Sequence, residues 1–175
     1  MRVVFVCTGN ICRSPMAEAL LRQELEQRGC SDITVSSVGT WAYFGNPAMP
    51  EGVEAMKLMG IDMTQHRSRP VDQDELRDAS LIVVMTSVHV RELKTLIPEV
   101  MDKVLLLKEL GEIELAPGAG SSREERVLAL LRGTKPKSRR SLDVDDPIGK
   151  PIGAYQRTVE GLQEGVAVLA DTLCP

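Results

Sequence analysis

A cysteine and an arginine near the amino terminus have the spacing of a reactive anion-binding loop. Five residues separate Cys7 from Arg13 in the stretch VCTGNICRSP, and Pro15 favours a helix that begins near Ser14. Backbone N–H groups at a helix start attract anions, and the helix dipole adds to that attraction. The same positive potential favours the thiolate of Cys7, which is the nucleophilic form. These residues therefore predict a sulfur nucleophile next to a bound oxyanion.

The remaining residues of this loop suit the same chemistry. Gly9 permits a tight turn, and Asn10 is one of the few non-glycine residues that tolerate a positive φ. Ser14 can donate a hydrogen bond to the thiolate, and Arg13 can direct two N–H donors at one oxyanion. Phosphate fits this arrangement, with the sulfur attacking phosphorus to give a phosphocysteine intermediate.

Such a reaction requires a proton donor for the leaving group and a base for the attacking water. The stretch DVDDP supplies three candidates, of which Asp146 directly precedes Pro147 and is therefore held extended. Asp145 could share the duty, whereas Asp143 is less well placed. From spacing alone, a solvated acidic turn is the favoured interpretation of this stretch.

The hydrophobic pattern predicts the elements that position these residues. Uniformly apolar strands are expected near residues 3–6, 33–36, 81–85 and 104–107. Helical segments alternate with them, and the last runs from about residue 151 to residue 173. This alternation predicts an α/β fold: a single doubly wound domain over residues 1–175, with a four-stranded parallel sheet, helices on both faces and the cysteine loop after strand 1.

Composition narrows the possible partners and location. The 175 residues carry a net charge of −4, so nothing global suggests nucleic acid as a partner. No apolar run approaches the ~20 residues of a bilayer span, so no membrane partner is expected. The four cysteines are scattered, which favours a reduced, cytoplasmic protein in which Cys30 and Cys174 are incidental. The two histidines and the scattered cysteines give no metal-ligand spacing, so neither a metal nor a cofactor is expected.

One segment departs from the pattern. Residues 116–142 begin Gly/Ser-rich, pass through a possible helix at 124–131 and end in the basic cluster TKPKSRR. They predict a long surface insertion or mobile loop.

The order of motifs resembles the low-molecular-weight protein tyrosine phosphatase family in its bacterial form, close to the protein-arginine phosphatase subgroup. The resemblance rests on VCTGNICRSPMAEA, SSVGTWAYFGNPAMP, GIDMTQHRSRP, LIVVM and DDP, in that order. It implies phosphorylated protein substrates and inhibition by phosphate-like oxyanions. It also implies that Cys7 is the nucleophile, that Arg13 is the phosphate clamp and that Asp146 is the general acid and then the base.

The resemblance assigns further residues to the site. Asn10, Ser37 and His66 match a hydrogen-bond network that holds the loop in shape, whereas His89 has no such setting and is expected to be structural. Trp41 matches the pocket wall, and the neighbouring Tyr43 and Phe44 could share that role or form a small local core. The residues expected to contact substrate are Thr8, Gly9, Asn10, Ile11, Cys12, Ser14 and Trp41.

Two positions leave alternatives open. Cys12 matches a second loop cysteine that could form a reversible disulfide with Cys7, or it could simply pack under the loop. Ile148 stands directly after Asp-Pro, where many family members have an aromatic residue, so one side of the pocket could be shaped differently.

Competing functions remain within and outside the family. The arginine-specific relatives place threonine where this chain has Ile11, so phosphotyrosine is favoured over phosphoarginine. Arsenate reduction is disfavoured because no cysteine lies between Cys30 and Cys174. A non-catalytic phosphopeptide-binding module is disfavoured because the residues needed for turnover are present.

Overall fold

Four short buried strands lie at the centre of the fold. The computed structural model describes residues 1–112, 122–134 and 142–175. The strands are β1 (Arg2–Cys7), β2 (Thr34–Gly39), β3 (Leu81–Val84) and β4 (Val104–Leu106). The α-helices are α1 (Arg13–Gln27), α2 (Pro50–Lys57), α3 (Gln73–Asp78), α4 (Ser87–Leu96), α5 (Arg123–Gly133) and α6 (Ile152–Leu173). Two 3-10 helices flank β4, at Pro98–Lys103 and Leu107–Glu112.

The strands form one parallel sheet in the order β2-β1-β3-β4, which confirms the predicted fold class. The chain leaves β1 in one direction to form β2 and later returns to the other side of β1 to form β3. Ligands of such sheets bind at this change of direction, beyond the carboxyl ends of the strands. Cys7 is the last residue of β1 and pairs with Gly39, the last residue of β2, so the cysteine loop (residues 7–13) begins at this point.

Both faces of the sheet are covered, as the apolar strands predict. Val3 and Phe5 face one buried cluster, to which α1, α2, α5 and α6 contribute. Val4 and Val6 face the other, together with apolar residues of α3 and α4. Within the described ranges, no helix has both the length and the apolar character needed to cross a membrane.

Local signals set several helix ends. Gly29 and Gly60 follow α1 and α2 with φ of 74° and 77°, the left-handed conformation with which glycine commonly ends a helix. The Asp72 side chain accepts hydrogen bonds from the first turn of α3, as expected for an N-cap. Asp72 and Glu75 have the spacing of a capping box, but only the Asp72 half forms, because the Glu75 side chain makes an ion pair with Arg69.

The sequence predicts an insertion at residues 116–142 that contains a possible helix, and the helical part of this prediction is confirmed. The helix expected at 124–131 is present as α5 (Arg123–Gly133). Its Val127 and Leu130 are buried in the same cluster as α6. Burial of this apolar stripe against α6 stabilises α5. The basic cluster and the Gly/Ser-rich start lie outside the described residues.

The expectation that Cys30 and Cys174 are incidental is also wrong. The two residues form a disulfide with a Cα–Cα distance of 6.3 Å, which joins the turn after α1 to the end of α6. The sequence conceals this pairing because the cysteines are separated by 144 positions and meet only when α1 packs against α6. Cys7 and Cys12 are free.

We expect Cys174→Ser to lower the free energy of unfolding by about 5 kcal/mol, because the disulfide restricts the unfolded chain across a large loop. Urea denaturation under non-reducing conditions measures this loss. Cys30→Ser is the matched control and should lose the same amount, and the double variant should lose no more. Equal stability of the oxidised wild type and both variants would contradict the assignment.

Candidate active site

Cys7 lies at the bottom of the cysteine loop and is buried. Its Sγ is 2.9 Å from the Oγ of Ser14, and the backbone N–H of Asn10 donates to it over 3.3 Å. Both contacts stabilise negative charge on sulfur once the Ser14 hydroxyl donates its proton. The loop therefore surrounds the thiol with donors, as the sequence predicts for a nucleophile.

Asn10 holds the shape of the loop with all of its hydrogen-bonding groups. It has the predicted positive φ, 53°, and is fully buried. Its Nδ2 donates to Ser14 Oγ over 3.0 Å and to Ser37 Oγ over 2.8 Å. Its carbonyl oxygen is 2.7 Å from His66 Nε2, and its Oδ1 accepts from the backbone N–H of Arg69 over 2.8 Å. The structure thus brings Ser37 and His66 to Asn10, and Arg69 is an additional partner that the sequence did not reveal.

Arg13 is the first residue of α1, and its side chain is almost fully buried. Nη2 donates to Asp146 Oδ2 over 2.8 Å, and Nη1 donates to the Val144 carbonyl over 3.3 Å. Nε is buried without a partner among the described residues. A buried N–H without an acceptor is costly, and an oxyanion in the loop would remove that cost.

The three acidic candidates have different surroundings. Asp143 accepts from the backbone N–H of Ser87 over 2.6 Å, so it caps α4 and is unsuited to proton transfer. Asp145 is exposed and has no recorded bond to Arg13. Asp146 is also exposed but is tied to Arg13, which places it at the mouth of the loop.

Cys12 occupies the N-cap position of α1 and is buried. Its Sγ lies 3.7 Å from the hydroxyl of the fully buried Tyr155. Burial raises the pKa of the Cys12 thiol to about 12, so it is protonated at neutral pH. Cys12 thus packs under the loop, and its disulfide with Cys7 stays a prediction.

The aromatic residues of the β2–α2 connection point outward. Trp41 is 73% exposed, and Tyr43 and Phe44 are each 81% exposed, so the suggested local core is wrong. The Trp41 indole is oriented by a hydrogen bond of 2.9 Å from its Nε1 to Glu92 Oε1 of α4. Ile148 is exposed as well. These exposed side chains are free to line a pocket. The assignment of Trp41 to the pocket wall stays a prediction.

Gly39 is a site residue that the sequence analysis missed. A Cβ at this position would lie 2.5 Å from the Thr8 carbonyl oxygen and 2.9 Å from the Asn10 nitrogen. The contact is so close because the chain after β2 donates N–H groups to the Cys7 and Thr8 carbonyls. The glycine in SSVGT is the only sequence signal for this packing.

His89 is a second missed residue, because the sequence left it outside the site. Its Nε2 is 3.0 Å from Thr8 Oγ1, and its Nδ1 accepts from the backbone N–H of Thr86 over 3.1 Å. Burial lowers the pKa of His89 to about 4, and the positive charge of Arg13 acts in the same direction. The ring is therefore neutral at neutral pH.

The remaining loop residues differ in exposure, and their contact with substrate stays a prediction. Thr8 is exposed at the rim, and Gly9 is partly buried. Ile11 is also partly buried, and its carbonyl accepts from the N–H of Met49. Among the described residues, no group of three or more His, Cys, Asp or Glu side chains could hold a metal ion.

A buried cysteine beside a backbone N–H and a serine hydroxyl, at the carboxyl end of a parallel strand and followed by an arginine that begins a helix, is the arrangement of a cysteine-dependent phosphatase. The family model for low molecular weight phosphotyrosine protein phosphatase matches residues 2–115. The chain belongs to this family.

Relatives of two named activities are similar to the chain. The probable low molecular weight protein-tyrosine-phosphatase EpsP of Ralstonia solanacearum is 34% identical over 164 residues, covering 94% of this chain and 90% of that protein. The protein-arginine-phosphatase of Bacillus subtilis is 32% identical over 173 residues, covering 99% of this chain and 97% of that protein.

A solved structure has the same fold. YwlE arginine phosphatase, as a cysteine-to-serine mutant with a phosphorylated active site serine, has a TM-score of 0.78 and 31% identity. The match covers 99% of this chain and 95% of that chain.

We expect Gly39→Ala to lower the free energy of unfolding by about 2 kcal/mol, because the added methyl group overlaps backbone atoms that cannot shift without opening the loop. Thermal or urea denaturation measures the change. Gly153→Ala is the control, since its Cβ would meet nothing closer than 3.7 Å. A Gly39→Ala protein as stable as this control would show that the loop and β2 are not tightly packed.

Proposed function

We propose that the protein hydrolyses phosphotyrosine in protein substrates through a phosphocysteine intermediate on Cys7. Arg13 and the backbone N–H groups of the cysteine loop bind the phosphoryl oxygens. Asp146 acts first as the general acid and then as the general base. The observation that carries this proposal is the Cys7 sulfur, which lies within hydrogen-bonding distance of Ser14 Oγ and the Asn10 N–H.

In the first step the Cys7 thiolate attacks phosphorus and the P–O bond to the tyrosine oxygen breaks. The leaving oxygen takes a proton from Asp146, so free tyrosine hydroxyl is released. In the second step water attacks phosphorus and gives a proton to the Asp146 carboxylate. The P–S bond breaks, which returns the thiolate and releases inorganic phosphate.

The Arg13–Asp146 ion pair supports these roles. The bond of 2.8 Å holds the carboxylate beside the guanidinium that would grip the anion. A phosphoryl group competes for the same N–H donors, so its arrival frees Asp146 to face the leaving group. The unpartnered Nε of Arg13 supplies a further donor to the anion.

Phosphoarginine is the second candidate substrate, because the similarity to the Bacillus subtilis protein-arginine-phosphatase extends over nearly the whole chain. Ile11 favours phosphotyrosine. Its branched apolar side chain offers no hydroxyl to orient the attacking water and leaves less room for a guanidinium phosphate.

We expect Asp146→Asn to lower kcat about 100-fold on a phosphotyrosine peptide, because the variant keeps an oxygen for Arg13 but cannot transfer a proton. The loss should be smaller on an aryl phosphate with an acidic leaving group, which needs little protonation. Steady-state kinetics on both substrates measure the difference. Asp145→Asn is the matched control and should stay near wild type; a larger loss in that variant would reassign the acid.

We expect the wild type to prefer a phosphotyrosine peptide to a phosphoarginine peptide, and Ile11→Thr to shift the kcat/KM ratio about tenfold towards phosphoarginine. A shift of that size corresponds to about 1.4 kcal/mol. Phosphate release from both peptides is the assay, with Cys7→Ser as the blank.

Ile11→Val is the matched control for this experiment. Valine has the shape of threonine without its hydroxyl, so it separates the effect of space from that of hydrogen bonding. A wild type that prefers phosphoarginine would refute the assignment of phosphotyrosine.

A further inference from the structure

A buried histidine from α4 reaches the rim of the cysteine loop. His89 is only 1% exposed, yet its Nε2 lies 3.0 Å from the hydroxyl oxygen of the exposed Thr8. Thr8 directly follows Cys7 in the loop. The reaction proposed above assigns no role to this pair.

The hydrogen bonds of the ring fix its tautomer. The backbone N–H of Thr86 can only donate, and it donates to Nδ1 over 3.1 Å; the Thr86 hydroxyl, 2.9 Å from Nδ1, then donates to the same nitrogen. Because Nδ1 accepts, the proton of the neutral ring is on Nε2. The ring therefore donates to Thr8 Oγ1, and the hydroxyl is the acceptor in that bond.

This bond leaves the Thr8 proton for another acceptor. In the described part of the chain, His89 is the only hydrogen-bond partner of the Thr8 hydroxyl. His89 lies on α4, whose Ser87 N–H donates to Asp143 and whose Glu92 accepts from Trp41, so the ring lies on the side of the loop that holds these two residues. An oxygen of a bound phosphoryl group is the acceptor that such a hydroxyl would meet there.

We propose that His89 is a positioning residue: it holds the Thr8 hydroxyl as an acceptor, so that the Thr8 proton is donated to a phosphoryl oxygen in the cysteine loop. This inference rests on the proposed function. It adds a side-chain donor to the backbone N–H groups and to Arg13.

His89 also caps α4, because it accepts from the Thr86 N–H, so the test must separate capping from positioning. His89→Asn places an oxygen where Nδ1 lies, which keeps the cap and removes the donor to Thr8. His89→Gln places an amide nitrogen where Nε2 lies, which keeps the donor and weakens the cap. Thr8→Val removes the hydroxyl at constant shape, and Thr8→Ser retains it.

Three quantities are measured for each variant: kcat/KM on a phosphotyrosine peptide, the melting temperature, and the Kd of inorganic phosphate from the fluorescence of Trp41, the single tryptophan of the chain. Thr8→Val and His89→Asn should each lose about tenfold in kcat/KM and in phosphate affinity, as expected for one hydrogen bond to a charged group. Thr8→Ser and His89→Gln should stay within about threefold of wild type, although His89→Gln should melt at a lower temperature.

The double variant Thr8→Val with His89→Asn decides between the two roles. If His89 acts through Thr8, the double variant is no worse than Thr8→Val alone. If the losses multiply to about a hundredfold, the two residues act independently and the inference is overturned. A loss confined to His89→Gln would overturn it too, because capping alone would then explain the role of His89.

The phosphate-binding measurement distinguishes failure of this inference from failure of the proposed function. A wild type that binds phosphate without hydrolysing any phosphopeptide would refute the proposed function, while the phosphate affinities of the variants would still test the hydrogen bond. If the wild type hydrolyses the phosphotyrosine peptide and Thr8→Val has the same kcat/KM and phosphate affinity as the wild type, only this inference is refuted.

Discussion

The hydrogen bonds of Asn10 are the constraint on which the rest of the site depends. A residue with positive φ inside a buried loop is stable only where its polar groups are hydrogen-bonded. The Asn10 amide nitrogen donates to Ser14 and Ser37. Its backbone carbonyl accepts from His66, and its side-chain oxygen accepts from the Arg69 N–H. The one remaining group, the backbone N–H, is thereby directed at the Cys7 sulfur. The chemistry we propose follows from this geometry, because a loop that relaxed would no longer present its N–H donors to one point.

Three parts of the fold converge on that loop. Parallel pairing of β1 with β2 brings Gly39 against the loop backbone, and α1 begins with Arg13 directly after it. Helix α4 supports the opposite side, since its His89 bonds to Thr8 and its Glu92 bonds to Trp41. The cysteine loop is therefore held by contacts from β2, α1 and α4, whereas the aromatic side chains of the β2–α2 connection beside it are exposed.

Periodicity and turn residues were sufficient to predict the sheet, most helix ends and the positive φ of Asn10, because these features depend on neighbours along the chain. The features that were missed depend on contacts between distant segments. Cys30 and Cys174 meet only through the packing of α1 on α6, and Arg69 reaches Asn10 only because its segment pairs with the end of β2. His89 has no local signal beyond its place three residues after Thr86, so its contact with Thr8 could be found only from the fold.

In the proposed reaction the Cys7 sulfur attacks phosphorus, and trapping the phosphocysteine intermediate would demonstrate this step. The Asp146→Asn protein is mixed with a phosphotyrosine peptide, quenched in acid within the first turnover and analysed by peptide mass spectrometry. Our account predicts the added mass of one phosphoryl group on the peptide that contains Cys7, and none when Cys7 is alkylated beforehand. Hydrolysis without any phosphorylated cysteine, or a phosphoryl group on another residue, would contradict it.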